Sequence, residues 1–328
     1  MGLPLFSRAC FWSDYCRISL VVNAKKGIQS MTFLKIFTIM LTLQLVSCAK
    51  APMLAGDANS RNTNGGFKDA IGENTIQTGD ANGGLNQQTG NCLEYGGKFT
   101  SKGPYQFERQ QAGSYIFYIP KLPSGCKSAA VGFAMGTGAP VMSYTAWYEH
   151  FASHGLAVVV DPNKFALSGQ TLSQGIDTIL ETYPDILLEK AGTTGHSQGG
   201  GGAFTARFNS KISTVVGIQP GQFLSSGGNN NINYLGLAGT ADSFGTFTDP
   251  KFMHYKQVTG PKFYANLQGA NHIGSVTGNS EHASLYRALS TSWFRCYLTN
   301  DKAACNLFAT NDCSSFGGNW AECSAENR

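Results

Sequence analysis

The stretch Gly195-His196-Ser197-Gln198-Gly199 sets a serine between two glycines. That spacing suits a tight turn joining a strand to a helix, with the hydroxyl held out at the tip. A serine hydroxyl is too weak an acid to attack a carbonyl unaided, so it needs an imidazole to take its proton and a carboxylate to orient that imidazole. Where such a turn tops a parallel sheet, the chain order is serine, acid, histidine. Asp242 follows the strand-like run Tyr234–Ala238, and His272 follows the run around Phe263–Leu267. Both therefore fall at strand C-termini, where open α/β sheets gather their catalytic groups. Asp249 competes with Asp242, but Asp249-Pro250 has the form of a turn start. Of the other histidines, His150 and His154 lie on an early helix, His196 adjoins the serine, His254 lies between two strand candidates, and His282 opens the last helix. Two backbone amides should hold the oxyanion: that of Gln198, next after the serine, and that of Thr137, in the glycine turn Ala134-Met135-Gly136-Thr137-Gly138. This constellation does acyl transfer through an acyl-enzyme and needs no metal and no cofactor.

In a chain with 40 glycines the serine pattern carries weight only through its setting. Strand-like runs are expected at Tyr105–Glu108, Ser114–Ile119, Ala129–Ala134, Leu156–Val160, Ala191–Thr194, Thr214–Ile218, Tyr234–Ala238 and Phe263–Leu267. Turns are expected at Gln111-Ala112-Gly113 and Pro123-Ser124-Gly125. Leu156–Val160 is unbroken in its apolar character, which predicts a central parallel strand covered on both faces. Tyr144, Trp147, Tyr148 and Phe151 repeat with helical period, and Gly155 stands where a C-terminal cap belongs. Further helices are predicted after Ser197, at Leu172–Glu181 and from Glu281 to Leu298. Strands alternating with helices give an α/β domain with a mostly parallel central sheet flanked by helices.

The chain has 328 residues, 42% of them hydrophobic and 13% charged, with a net charge of +4. Without a Lys/Arg run, that charge gives no case for nucleic acid. From Met31 the chain has one lysine and then eleven apolar-rich residues, Ile36–Val46, too few to span a bilayer and suited to a signal peptide. The run ends at Leu45-Val46-Ser47-Cys48, which resembles the lipobox of bacterial lipoproteins, whose cysteine is acylated and becomes the new N-terminus. The expected organisation is an upstream extension over 1–30, a signal peptide over 31–47, a lipid-anchored disordered tether over 48–90 and a catalytic domain over 91–328. The tether, rich in Gly, Asn and Thr, would span roughly 35–40 Å as a flexible coil. Ala49 lacks the aspartate that favours inner-membrane retention, so the expected address is the outer membrane, or the exterior, of a Gram-negative bacterium.

Nine cysteines, less Cys10, Cys16 and Cys48, leave an even set of six in an exported chain. Short separations favour Cys296–Cys305 and Cys313–Cys323, which leaves Cys92 with Cys126 by elimination. No Cys-x-x-Cys pair or tight Cys/His cluster argues for zinc.

Gly136-Thr137, Trp147, Ala152-Ser153-His154-Gly155 and Gly195-x-Ser197-x-Gly199-Gly200-Gly201-Gly202 resemble the bacterial cutinase-like polyester hydrolases. That group includes the poly(ethylene terephthalate) hydrolases and several secreted lipases. The resemblance runs from about Ser114 to Asp301. It implies the α/β-hydrolase fold, a Ser197–His272–Asp242 triad, an oxyanion hole at Thr137 and Gln198, and hydrolysis of carboxylic esters, lipid or polyester, by a monomer. Three positions depart from the family. Thr137 replaces an aromatic residue and Gln198 a methionine. Gln222, with Phe223 beside it in the expected cleft, stands where the family has a clamping tryptophan. An esterase of short- to medium-chain esters is therefore expected. A peptidase, thioesterase or dienelactone hydrolase on the same fold is the alternative, ahead of a non-catalytic surface lipoprotein.

Overall fold

A computed structural model of the chain describes residues 99–222 and 228–327. The extension, signal peptide, Cys48, tether, Cys92 and Phe223 lie outside the described residues. Nine strands form one sheet in the order β1-β2-β4-β3-β5-β6-β7-β8-β9. They are β1 Phe107–Ala112, β2 Tyr115–Pro120, β3 Ser128–Ala134, β4 Leu156–Val160, β5 Leu187–His196, β6 Ile212–Ile218, β7 Asn233–Gly239, β8 Lys262–Leu267 and β9 Trp320–Glu326. β4, β3, β5, β6, β7 and β8 are mutually parallel, and β1, β2 and β9 join antiparallel at the two sides.

Alternation along the strands divides the core between the two faces. Val131 and Phe133 of β3 point into one cluster, with Trp147, Phe151, Leu289, Trp293 and Phe294. Ala130 and Ala134 point into the other, with Leu172, Ile176, Ala203 and Phe204. The first face is covered by helices α1, Thr145–Ser153, and α5, Glu281–Thr299. The second is covered by α2, Gln170–Thr182, and α3, Gln198–Thr205. Two short helices, α4 (His254–Gln257) and α6 (Lys302–Asn306), complete the set among the described residues. No helix among the described residues is long and apolar enough to cross a membrane.

α3 is a helix against propensity. Four consecutive glycines each cost roughly 1 kcal/mol relative to alanine in a helix, but the packing leaves no room for side chains. A Cβ at Gly199 would stand 2.3 Å from the carbonyl oxygens of Ala134 and Met135, and one at Gly202 would stand 2.0 Å from that of Ala166. The helix thus presses directly on the end of β3.

Three sequence expectations need correction. β1 runs past Glu108 to Ala112, and the turn falls at Gly113 and Ser114. Its residues are largely exposed, so its limits follow its pairing with β2 and not any apolar pattern. β4 is buried along its whole length as expected, but it is parallel only to β3, because β2 runs antiparallel on its other side. β9 was not among the expected strands: Ala321, Cys323 and Ala325 alternate with Glu322, Ser324 and Glu326 along it, and it pairs with the otherwise free edge of β8. The Cys313–Cys323 disulfide fastens it to the preceding loop, and Cys296–Cys305 ties the end of α5 to α6. Cys126 is half-buried and unbonded.

Candidate active site

The order in which strands are added to the sheet reverses about β3. β4 is added on one side of it and β5 on the other, which opens a crevice at the carboxyl ends of β3 and β5, the place where open α/β sheets bind ligands. Ser197 ends β5 at that crevice, and the Gly136-Thr137 turn ends β3.

The serine occupies a strained turn. Its φ is 54° and ψ −125°, a conformation that L-residues avoid at a cost of roughly 1–3 kcal/mol. The turn is held from both sides. The Ser197 amide donates to the Ile218 carbonyl at 3.1 Å, and its carbonyl accepts from Gly221 at 2.7 Å and Gly201 at 3.1 Å. The hydroxyl stands immediately before α3, where free amides and the helix dipole favour negative charge. Among the described residues, the amides of Thr137 and Gln198 find no protein acceptor, so both remain available to a ligand oxygen. Thr137 is exposed and Gln198 half-buried.

Asp242 and His272 come together from the loops after β7 and β8. His272 Nδ1 and Asp242 Oδ2 are 2.9 Å apart, with both side chains 5% exposed. The two loops are joined directly by Ala241 N–H to the Ala270 carbonyl at 3.0 Å. Burial pushes the Asp242 carboxyl up, but hydrogen bonds from His272, the Phe244 amide and Thr248 outweigh it, leaving the acid below its ordinary range. An ionised Asp242 holds the imidazole proton on Nδ1 and leaves Nε2 to act as base. The Ser197 hydroxyl makes no hydrogen bond within the described residues, so it is not joined to His272. The ring of His196, the residue before Ser197, lies 4.6 Å from the His272 ring.

The structure also fixes the rejected alternatives. Asp249 accepts from the Lys251 amide in the turn that its Asp-Pro sequence implied. His150 and His154 pair beneath the sheet at 4.5 Å, and His254 stacks on Phe204 at 4.2 Å. Gln222 is 5% exposed. Its amide oxygen accepts from the Met253 and His254 amides, and its nitrogen donates to the Pro220 carbonyl. In this position it braces the loop before α4. A cavity of about 410 Å³ lined by Lys127, Leu188, Lys190 and Lys211 lies at the amino ends of the strands, away from every residue of the site.

Four supporting residues escaped the sequence reading. Thr248 Oγ1 donates to Asp242 Oδ2 at 2.8 Å. Gln219 is fully buried with φ 42°, and its Nε2 donates to the Asn271 carbonyl, fixing the residue before His272. Ser275 receives the Asn271 amide and is itself hydrogen-bonded to His282. Tyr286 donates to the Ala238 carbonyl at 2.7 Å beneath the acid loop. None of these contacts has a local sequence counterpart, and the positive φ of Gln219 runs against the extended conformation that a following proline favours.

No protein family matches the chain, and no curated protein does. The reading therefore rests on the geometry. Among the described residues no group of His, Cys, Asp and Glu is arranged to hold a metal ion.

Proposed function

We propose that the protein is a serine carboxylic ester hydrolase of the α/β-hydrolase fold, with Ser197 as nucleophile, His272 as general base and acid, and Asp242 as its orienting carboxylate. The observation that carries the reading is the buried 2.9 Å Asp242–His272 bond at the sheet edge where Ser197 sits in a strained turn. A structural serine needs neither the strain nor the dyad.

His272 removes the Ser197 proton as the oxygen attacks the ester carbonyl, and the developing oxyanion is taken up by the Thr137 and Gln198 amides. Each such donor is worth roughly 2.7–4 kcal/mol in this kind of site. The imidazolium, stabilised by ionised Asp242, then protonates the leaving alcohol. Water repeats the sequence on the acyl-enzyme and frees the acid.

The loops around the serine support an apolar acyl group. Phe244, 45% exposed, lies 4.5 Å from the His272 ring, and Ile273, 59% exposed, follows it. Met142 and Phe165 are exposed on the loops after β3 and β4 at the same sheet edge. The sequence likeness to cutinase-like polyester hydrolases and the lipobox-like N-terminus extend the proposal. They make it an exported, lipid-anchored monomer at the outer membrane, acting on lipid or polymeric esters without a cofactor.

Turnover of p-nitrophenyl acetate, butyrate and longer esters, compared with matched anilides, tests this reading. Ester cleavage well above amide cleavage, lost in Ser197→Ala, is expected. Faster amide cleavage moves the assignment to a peptidase, and equal rates in wild type and variant remove Ser197 from the chemistry.

A further inference from the structure

Two buried polar side chains at the site have no part in the mechanism above. Tyr144 and His196 are each 1% exposed. The Tyr144 hydroxyl lies 2.8 Å from His196 Nδ1 and accepts the Gly136 amide at 3.3 Å. A buried phenol proton needs an acceptor, and His196 Nδ1 is the acceptor within reach. That assigns the His196 proton to Nε2 and leaves a directed chain: Gly136 N–H to Tyr144 oxygen, Tyr144 O–H to His196. Burial pushes the Tyr144 phenol up to about 12. Burial, and then the nearby His272, push His196 down to about 3. Both partners therefore stay neutral while His272 gains and loses its proton.

The two ends of this chain are the two halves of the catalytic apparatus. Gly136 immediately precedes Thr137, the oxyanion donor, and the His196 ring faces the His272 ring at 4.6 Å. The packing is tight enough that a Cβ on Gly136 would stand 3.0 Å from the Tyr144 oxygen and 3.1 Å from His196 Nδ1.

We infer that Tyr144 and His196 form a neutral positioning pair that fixes the oxyanion turn and the catalytic imidazole relative to each other. The inference rests on the Ser197–His272–Asp242 reading. The pair touches no substrate. It acts through the placement of Thr137 and His272, and so affects the transition state more than substrate binding.

Tyr144→Phe keeps the ring that packs 5.3 Å from Phe133 and removes only the hydroxyl. His196→Leu removes the acceptor. His196→Asn restores one, because its side-chain oxygen reaches nearly where Nδ1 was. In the purified protein, Tyr144→Phe and His196→Leu should each lower kcat on a p-nitrophenyl ester on the order of tenfold, the scale on which small misplacements act, with KM within twofold. The double variant should fall no further than the worse single, and His196→Asn should recover most of the rate. Single variants with wild-type kcat, or a loss in KM alone, overturn the inference while leaving the serine hydrolase standing. A loss in His196→Asn equal to that in His196→Leu also overturns it. Should Tyr144→Phe fail to fold, the two His196 variants decide by the same comparison. A wild-type protein inert in the same assay fails the earlier reading instead, and this one with it.

Discussion

At the scale of single residues, Ser197 holds a backbone conformation that the chain does not adopt without compulsion, and the compulsion is visible in its three backbone hydrogen bonds to β6, α3 and Gly221. Asp242 is the complement. It is buried yet ionised, because three donors meet its carboxylate. Asp242→Asn keeps the shape but lets the imidazole take the wrong tautomer, and kcat should fall about 10⁴-fold with an unchanged melting profile. Thr248→Val removes one donor from Asp242 Oδ2. Its kcat should fall only severalfold, which a side-by-side rate measurement checks. A loss as large as that of Asp242→Asn would show that Thr248 does more than share the carboxylate. The Asp242–His272 pair and the turn at Ser197 were legible in the sequence because residue type, chain order and strand ends all bear on them. Tyr144, Gln219 and Thr248 were not. Their roles come from contacts between segments remote in sequence or from a buried polar bond, and nothing in their immediate neighbours encodes those.

At the scale of elements, α3 and β9 show opposite ways for a sequence to hide its structure. α3 carries four consecutive glycines where a helix should avoid them, and the reason lies in the carbonyls of Ala134 and Ala166 pressed against it. Gly199→Ala should therefore reduce soluble, folded protein despite alanine's better helix propensity, a point that expression and circular dichroism decide. Wild-type stability in that variant would mean the contact with β3 is looser than 2.3 Å implies. β9 alternates small Ala321, Cys323 and Ala325 with Glu322, Ser324 and Glu326 and was missed because such small residues give a weak apolar signal, while an edge strand is held mainly by a neighbour with free backbone groups. Its retention is aided by a disulfide of sequence separation 10. Replacing Cys313 and Cys323 together by serine should cost about 2–3 kcal/mol of unfolding free energy, the entropy of a loop that size, while kcat stays close to wild type because β9 lies beyond β8 and the site loops. The buried cores of the parallel strands were legible as runs of small and branched residues, but β5 extends from Leu187 to His196, beyond the expected Ala191–Thr194, because Glu189 and Lys190 interrupt its apolar pattern.

For the molecule as a whole, three of the buried histidines are held uncharged. His150 and His154 pair at the C-terminal end of α1, and His196 lies beneath the site. Burial holds all three below the ordinary value of 6.5, His154 to about 4 and His196 to about 3. In the unfolded chain they bind protons near pH 6.5, so between that value and about 4 the unfolded state holds more protons and is favoured by acid. Their contribution is complete above about pH 6.5 and is lost progressively below it. His154 alone accounts for about 3 kcal/mol at 1.36 kcal/mol per unit. Urea midpoints should drop steeply from pH 7 to 4.5. A flat profile across that interval would mean that the histidines are hydrated in the folded state.

The central claim is that Ser197 is an activated nucleophile, and covalent capture tests it with no assumption about the natural substrate. The protein is treated with a fluorophosphonate, and its intact mass and proteolytic peptides are measured with and without His272→Ala. The account predicts one adduct per chain, located on Ser197 and formed far more slowly in the His272 variant. No adduct, an adduct on another serine, or equal labelling in both proteins would contradict it.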